Sequence, residues 1–315
     1  MIGKKIFKFF RSIIKLISPI LFYIFLKLKV NRRVINFLEE KSYFSNKFYN
    51  FSRIINNILK DKKIVALDVG AQGGFNSDNF FPKKYNKFFE DILVEPIKSE
   101  ADKISKEKYV INKGLWGTKE RKKLFILGNR LGSSSMYEPD QEKFYLHDIK
   151  INDFNDYKIS KIIDIDCDSI NNLLNESKIE KLDYLKVDTQ GAELEILKGL
   201  GDYHPLLIKI EVHIFSMYKN VPSWDQLLNF LYNRGYVTID WKGIGKHVTR
   251  IPAEIDMIFV PDFNSEKGKK LILENMEKFI SLMLIFGQIN ILKVILKKFN
   301  IENKEIEKIQ DLYFD

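Results

Sequence analysis

The stretch from Leu182 to Leu200, which reads LDYLKVDTQGAELEILKGL, constrains the fold more than any other part of the sequence. A short apolar run that ends at Val187 is followed by Asp188 and Gly191, after which leucine and isoleucine recur at helical spacing. The pattern predicts a buried strand that turns through a glycine into an amphipathic helix. Because the carboxyl ends of parallel strands border the crevice where open α/β sheets bind ligands, Asp188 is a candidate catalytic residue.

Length and cysteine content limit the class of protein. A chain of 315 residues with 45% hydrophobic residues can form one large core with appended helices. Its single cysteine, Cys167, excludes an internal disulfide, so a reducing compartment such as the cytoplasm is expected. The four histidines lack the paired spacing of a metal site, and we predict no metal.

The net charge of +9 would suit phosphates, sugar nucleotides, nucleic acid or an anionic membrane. The sequence is rich in Lys, Asn and Ile throughout, and this compositional bias explains the charge at least as well. The charge alone therefore identifies no partner, and the sequence contains no indication of the oligomeric state.

The first 30 residues are basic and rich in aromatic and aliphatic side chains. Their uncharged segment, Leu16 to Leu26, has eleven residues, whereas a spanning helix needs about 20. A cleavage site with small residues is missing, which argues against a signal peptide. We predict an interfacial helix that contacts an anionic membrane, with packing against the catalytic domain as an equally weighted alternative.

A second strand-and-turn pattern begins at Ile64. The apolar run Ile64 to Val69 leads into a glycine turn, and the run Asp91 to Pro96 is the next strand. Rossmann-like folds hold a nucleoside with such a turn and with an acid at the tip of the second strand. The candidate cofactor-binding residues are Asp68, Gly70, Ala71, Gln72, Gly74, Glu95 and Asp188.

Further strands are predicted along the rest of the body, at residues 108–117, 162–168, 206–212, 236–240 and 255–260. The acids Asp164, Asp166 and Asp168 allow an acid-rich metal site, but a solvated strand face with a helix cap at Asp168 or Ser169 is favoured. We predict N-terminal basic and amphipathic helices over residues 1–60, a catalytic domain over 61–263 and a C-terminal helical extension over 264–315. The apolar run Leu282 to Phe286 predicts burial against the N-terminal helices or a membrane.

Five motifs together resemble the FkbM family of S-adenosylmethionine-dependent methyltransferases, over roughly Ile64 to Val260. They are DVGAQGG from Asp68, VEP from Val94, SSS from Ser133, KVDTQGAELEILKG from Lys186 and EVHIFSMY from Glu211. The resemblance implies an α/β class I methyltransferase fold, a Rossmann-like doubly wound sheet of seven strands with the last antiparallel. It implies S-adenosyl-L-methionine as cofactor and O-methylation of sugars, glycans, lipid-linked or other small molecules. Gln72 departs from the family, in which many members have Asn.

Methyl transfer to a hydroxyl needs a base and an in-line arrangement of sulfur, methyl and oxygen. Asp188, Glu211 and His213 follow or end neighbouring strands, and we expect them to converge on the methyl group as catalytic residues. The turn from Gly70 would wrap the amino-acid end of the cofactor, and Glu95 would bind its ribose. Alternatives remain for the catalytic residues, in which Asp188 caps the next helix, Glu211 pairs with a Lys or Arg, and His213 is a satisfied core imidazole.

Two other classes of function are less well supported. Base-directed amino-methyltransferases carry an Asp/Asn-Pro-Pro-Tyr/Phe segment where this chain has Asp188-Thr189-Gln190-Gly191, so a nucleic-acid substrate is disfavoured. The second class is a non-catalytic binding protein that keeps the fold and has lost turnover, and the intact glycines, Glu95 and Asp188 argue against such decay. The expected acceptor is a saccharide hydroxyl, with a lipid or polyketide-like hydroxyl second. Candidate acceptor-site residues are Tyr218, Trp224, Trp241, Lys246 and Arg250, the last two suiting a phosphate or nucleotide on the sugar.

Overall fold

The computed structural model describes residues 50–105, 109–147, 155–242 and 254–307. The predicted membrane helix within residues 1–30 and most of the predicted loop between Trp241 and Glu254 lie outside these ranges. Contacts divide the chain into two units, Asn56–Leu282 and a second that includes Met283–Asp315, and each is described by itself. The domain boundaries at residues 60 and 263 stay a prediction.

Ten strands are formed by the described residues. In chain order they are β1 (Ile64–Val69), β2 (Phe89–Val94), β3 (Val110–Ile111), β4 (Gly114–Leu115), β5 (Glu120–Leu127), β6 (Ile159–Asp168), β7 (Tyr184–Val187), β8 (Leu207–His213), β9 (Tyr236–Lys242) and β10 (Glu254–Pro261).

Seven of these described strands make one sheet, in the order β3-β2-β1-β7-β8-β10-β9. Neighbours from β3 through β8 pair in parallel, and β10 is antiparallel to both β8 and β9. The expectation of a mostly parallel seven-stranded sheet with the last strand antiparallel is confirmed. The order reverses between β1 and β7, the kind of position where open α/β sheets bind ligands.

The other three described strands form a second sheet that was not predicted, in the order β4-β6-β5. The predicted strand over residues 108–117 is divided between the two sheets, with β3 in the first and β4 in the second. The break falls at Asn112, whose side-chain amide donates to the carbonyl oxygens of Glu95 at 2.9 Å and Pro96 at 3.0 Å. These bonds tie the end of β3 to the end of β2.

Strand β6 has the solvated face that the sequence predicted. Asp164 and Asp166 are exposed, Asp166 pairs with Arg121 at 3.1 Å, and among the described residues neither belongs to a group with metal-binding geometry. Ser169 caps the next helix, since its Oγ accepts a hydrogen bond from the backbone of Asn172 at 3.1 Å. Both expectations for this segment are confirmed.

The described helices are short. In chain order they are α1 (Ser52–Leu59), α2 (Lys98–Ile104), α3 (Ile170–Glu176), α4 (Glu193–Lys198), α5 (Trp224–Asn233), α6 (Glu266–Glu274), α7 (Met276–Ile285), α8 (Ile289–Lys298) and α9 (Lys304–Glu307). Within the described ranges no helix is both long enough and apolar enough to span a membrane. The apolar run from Leu282 to Phe286 is buried.

The two sheets share one hydrophobic core. Side chains of the large sheet, such as Leu67, Leu185 and Ile208, belong to the same buried cluster as Leu124 and Ile165 of the small sheet. Full burial of each such aliphatic side chain contributes roughly 1.5–3 kcal/mol. This shared core fixes the small sheet near the carboxyl ends of the parallel strands, where the loops that follow them gather.

Candidate active site

A cleft of about 290 Å³ lies at the carboxyl ends of β1, β2 and β7. Small-molecule sites usually span about 300–1,000 Å³, so the cleft lies just below that range. Of the predicted site residues, Gly70, Gln72, Glu95 and Asp188 line it, and Asp68, Ala71, Gly74, Glu211 and His213 do not. Residues of the small sheet and of the loop before β6 complete the wall, among them Gly114, Leu124, Leu131, Gly132 and Met136.

The glycine turn after β1 approaches the end of β7 closely. Gly70 has φ +79°, and a Cβ placed on it would lie 2.0 Å from the backbone oxygen of Asp188. A side chain is therefore excluded at Gly70 by both conformation and contact. The backbone N–H groups of Gly70 and Ala71 donate to the Val94 oxygen at 3.1 Å each, which fixes the turn against the end of β2.

The remaining residues of the turn differ in exposure to the cleft. Ala71 packs in a small buried cluster with Leu93 and Ile104, so its side chain supports the turn from beneath. Gln72 faces the cleft and donates from Nε2 to Glu100 Oε2 at 3.1 Å. Gly74 has φ +89°, which explains the glycine there without a ligand contact.

Glu95 follows β2 directly and faces the cleft. Glu95 is 4% exposed, and its Oε1 accepts a hydrogen bond from the backbone N–H of Ile97 at 2.8 Å. Burial raises the pKa of Glu95 to about 7. The side chain thus presents a fixed carboxyl group at the tip of the second strand, with a charge that changes near neutral pH.

A buried lysine links two of the predicted acids. Lys186 Nζ lies 3.0 Å from Asp68 Oδ1 and 3.6 Å from Asp188 Oδ2, and it donates to the Gly70 oxygen at 3.3 Å. Burial acts to lower the pKa of Lys186, but Asp68 and Asp188 outweigh it and the pKa is raised. Lys186 therefore stays charged where it lines the cleft, and Asp68 serves as its partner and not as a wall of the cleft.

A second buried lysine, Lys209, stands beside Lys186 in the sheet register. Its Nζ pairs with Asp78 Oδ2 at 2.7 Å and with Asp256 Oδ1 at 2.9 Å. Neither lysine was assigned a role from the sequence. The sequence feature that could have indicated their role is a lysine inside each apolar strand, because a buried ammonium group needs partners that carry negative charge.

Acidic residues lie two register positions beyond the lysines, towards the carboxyl ends of β7 and β8. Asp188 follows β7, Glu211 lies in β8, and Asp256 of β10 is the register partner of Glu211. Burial acts to raise the pKa of Asp188, but Lys186, Lys209 and hydrogen bonds with Glu211 and Gln190 outweigh it and lower the pKa. Burial and the charge of Asp188 raise the pKa of Glu211 well above its usual range. The pKa values of the two carboxyl groups are thus displaced in opposite directions, and Asp188 is the stronger acid of the pair.

Gln190 holds this pair in place, and no role was predicted for it from the sequence. Its Nε2 donates to Glu211 Oε2 at 2.5 Å, and its Oε1 accepts from the hydroxyl of Tyr218 at 2.9 Å. Ser135 Oγ donates to its backbone oxygen at 2.6 Å. Tyr218, expected near the acceptor, is 1% exposed and acts through Gln190.

Glu193 organises the turn between β7 and α4. Its Oε1 accepts hydrogen bonds from Thr189 N at 2.9 Å, Thr189 Oγ1 at 3.1 Å and Gly191 N at 3.1 Å. The helix itself begins after Ala192 without a side-chain cap, so Asp188 does not cap it. Glu193 fixes the residues that follow Asp188 and lies outside the cleft.

His213 is buried at the end of β8, and its side chain is 2% exposed. Neither ring nitrogen has a hydrogen-bond partner among the described residues, so the satisfied core imidazole expected as an alternative is not formed. His213 Nε2 lies 4.0 Å from Glu211 Oε2. His213 therefore joins Glu211 behind the cleft and not at its wall.

The residues expected around the acceptor are described only in part. Trp224 begins α5 and is 39% exposed, and Trp241, predicted in a loop, lies in β9 and is 58% exposed. Strand β9 extends two residues beyond its predicted end because β10 continues to pair with it through Lys242. Lys246 and Arg250 lie outside the described residues.

Residues 68–238 match the family model described as Methyltransferase FkbM domain. The match covers more than half of the chain, and it includes the glycine turn, Glu95, Asp188 and Glu211. The chain belongs to the FkbM methyltransferase family. No curated protein matches the chain.

Proposed function

We propose that the protein is an S-adenosylmethionine-dependent O-methyltransferase that acts on a hydroxyl of a saccharide, glycan or related small molecule. One observation carries the proposal beyond the family. The ionised carboxylate of Asp188 lines the same cleft as the Gly70 turn and Glu95. A base and a nucleoside-binding pair thus border a single cavity in a Rossmann-like sheet.

The residues of the cleft fit the cofactor. Ribose hydroxyl groups donate hydrogen bonds, and the carboxylate of Glu95 stands at the strand tip where such an acceptor is required. Gly70 and Gln72 line the cleft on the side of the glycine turn, where the amino-acid end of the cofactor would lie. When bound, the cofactor supplies an electrophilic methyl group on a cationic sulfur. The Asp188 carboxylate at the cleft would favour that cation, and Lys186 pairs with both Asp68 and Asp188.

Asp188 is the proposed base. A sugar hydroxyl has a pKa far above neutrality, so its proton must leave as the new oxygen–carbon bond forms. Lys186 lowers the pKa of the Asp188 carboxyl group, and Glu211 hydrogen-bonds to it. In this arrangement Asp188 receives the proton, while Glu211 and Gln190 fix its orientation. His213 belongs to the same cluster without facing the cleft.

The proposed acceptor is a saccharide hydroxyl. A saccharide is favoured because it is among the acceptors that the family resemblance implies, although Trp224 and Trp241, which expose aromatic faces, do not line the cleft. The positive charges of Lys246 and Arg250 suit a phosphate or nucleotide on that sugar, with a lipid hydroxyl as the alternative. We further propose that the protein acts in the cytoplasm, with peripheral membrane contact through residues 1–30.

Calorimetry with S-adenosylmethionine and its demethylated product tests the cofactor. We expect saturable binding of both, and binding of NAD with neither of them would refute the proposal. Transfer of a labelled methyl group to a panel of nucleotide sugars, polysaccharide fragments and glycolipids, followed by mass spectrometry, tests the acceptor. Methylation of nitrogen or of a nucleic-acid base would contradict the O-methyl assignment.

Substitution of the base separates binding from chemistry. Asp188→Asn should lower turnover at least about 100-fold, the range of general-base catalysis, with little change in cofactor affinity. Asp164→Asn, which changes an exposed carboxylate on the small sheet, is the matched control and should leave turnover unchanged. Equal turnover in both variants would remove Asp188 from the mechanism.

A further inference from the structure

We propose that Glu211, His213 and Glu254 form a binding site for a divalent transition-metal ion of the Mn²⁺ or Zn²⁺ type, behind the wall of the cleft. The site goes beyond the proposed methyl transfer, because ion binding can be measured without turnover.

The sheet register brings the three side chains to one face. Glu211 and His213 are two residues apart in β8, so they point to the same side. Glu254, the first residue of β10, is the direct cross-strand partner of His213. Directly opposed residues in an antiparallel pair share a face and lie close together. The sequence did not predict this group, because Glu254 is about forty residues from His213 in the chain.

Distances within the group suit a shared ion. One ligand atom from each residue lies within 4.8 Å of the others, and Glu211 Oε2 and His213 Nε2 are 4.0 Å apart. Two atoms that each lie about 2.1 Å from the same ion are at most about 4.2 Å apart. The Glu211 and His213 pair meets this limit, and the ligand atom of Glu254 lies within 4.8 Å of both.

The buried imidazole gives an independent indication of a ligand. His213 is 6% exposed, and neither ring nitrogen has a hydrogen-bond partner among the described residues. Leaving a buried polar group unsatisfied costs about 1–3 kcal/mol, so such groups require an explanation. A metal ion would satisfy Nε2, which faces Glu211.

The ligand types select the kind of ion. A neutral imidazole with two carboxylates suits Mn²⁺ or Zn²⁺, whereas Mg²⁺ prefers oxygen ligands and its own waters. Three protein ligands leave coordination positions for water or for an oxygen of a bound molecule. The 17% exposure of the Glu211 side chain provides access for the ion.

Calorimetric titration of the chelator-treated 315-residue chain with MnCl₂, ZnCl₂ and MgCl₂ tests the site. We expect one saturable site for Mn²⁺ or Zn²⁺, with affinity at least about tenfold above that for Mg²⁺. Both His213→Gln and Glu254→Gln should weaken binding at least about tenfold, on the scale of disturbed metal coordination. His204→Gln and Glu90→Gln, outside the cluster, should bind as the parent does.

Absence of one-site binding, stronger binding of Mg²⁺, or equal binding by all four variants would overturn the proposal. Circular dichroism of each variant identifies misfolding, and Glu254→Gln at the less buried end of the cluster keeps the test decisive if His213→Gln does not fold. Calorimetry with S-adenosylmethionine on the same samples separates the two hypotheses. Cofactor binding without metal binding would refute this site alone, and the reverse result would refute the proposed methyl transfer alone.

Discussion

Lys186 Nζ and Asp68 Oδ1 lie 3.0 Å apart at the cleft, which Lys186 lines, with side-chain exposures of 7% and 1%. Each charge is isolated from water and depends on the other. The pair joins β7 to β1 at the point where the sheet order reverses, and it was not expected from the sequence.

Lys186→Met should destabilise the fold by about 3–5 kcal/mol, because it leaves the buried Asp68 carboxylate without its cation. Denaturation by urea measures the loss. Lys98→Met, which breaks an exposed pair with Asp102, is the control and should cost at most about 0.5 kcal/mol. The double variant with Asp68→Asn should recover part of the loss, and no recovery would show that the two residues are not coupled.

The stability of the protein should depend on pH through Glu95. The pKa of Glu95 is raised from 4.5 to about 7 by burial, so the folded state favours the protonated form. Its contribution to the free energy of unfolding is full below pH 4.5 and is lost as pH rises through about 7, a total of about 3 kcal/mol. Urea denaturation between pH 4.5 and about 8 should show this fall, and Glu95→Gln should remove it. An unchanged slope in the variant would assign the dependence to other groups.

Gly70→Ala should be more harmful than the same change at a glycine of similar conformation. Gly235 has φ +83° and nothing within 4 Å of the position that a Cβ would take, whereas the Cβ at Gly70 would meet the Asp188 oxygen at 2.0 Å. Gly235→Ala should cost about 1–2 kcal/mol for its backbone conformation alone. Gly70→Ala should cost at least about 2 kcal/mol more, because β1 and β7 must move apart. Thermal unfolding compares the two, and equal losses would contradict the close approach.

Glu193→Ala should reduce turnover without a matching loss of cofactor affinity. The substitution removes the acceptor of three hydrogen bonds in the turn that carries Gln190, at a cost of about 1–3 kcal/mol in stability. Glu193→Gln keeps an acceptor oxygen and should restore part of the turnover. Glu195→Ala, in the same helix turn and paired with Lys198, is the control. Parallel loss of turnover and cofactor binding would place Glu193 in the cofactor site.

The sequence predicted the structural features that depend on residues close together in the chain. The strands before Asp68, Glu95 and Asp188 were recognisable because each is an apolar run followed by a turn, and Ser169 followed the ordinary preference for a helix cap. These signals lie within a few positions of each other. They placed the cleft correctly at the strand ends and predicted four of the residues that line it.

The features that the sequence did not predict depend on strand register and on pairs of residues that are far apart in the chain. Lys209 pairs with Asp78 across 131 positions, and Tyr218 holds Gln190 across 28. Such contacts are set by which strands become neighbours, and the apolar pattern of a strand carries no information about its partner. The second sheet was not predicted for the same reason. Strand β4 contains only Gly114 and Leu115, and only its pairing with β6 makes it recognisable as a strand.

The close approach of Gly70 to Asp188 has a mechanical consequence. The backbone of Asp188 donates to Val69 at 3.1 Å, and that of Gly70 donates to Val94 at the same distance. The turn that would carry the methyl donor and the carboxylate that would receive the proton are therefore attached to one rigid piece of sheet. A shift of either one therefore moves the other, and the strands set the distance between the methyl donor and the base. The surrounding loops can vary without changing that distance, and such variation would alter which acceptor is methylated.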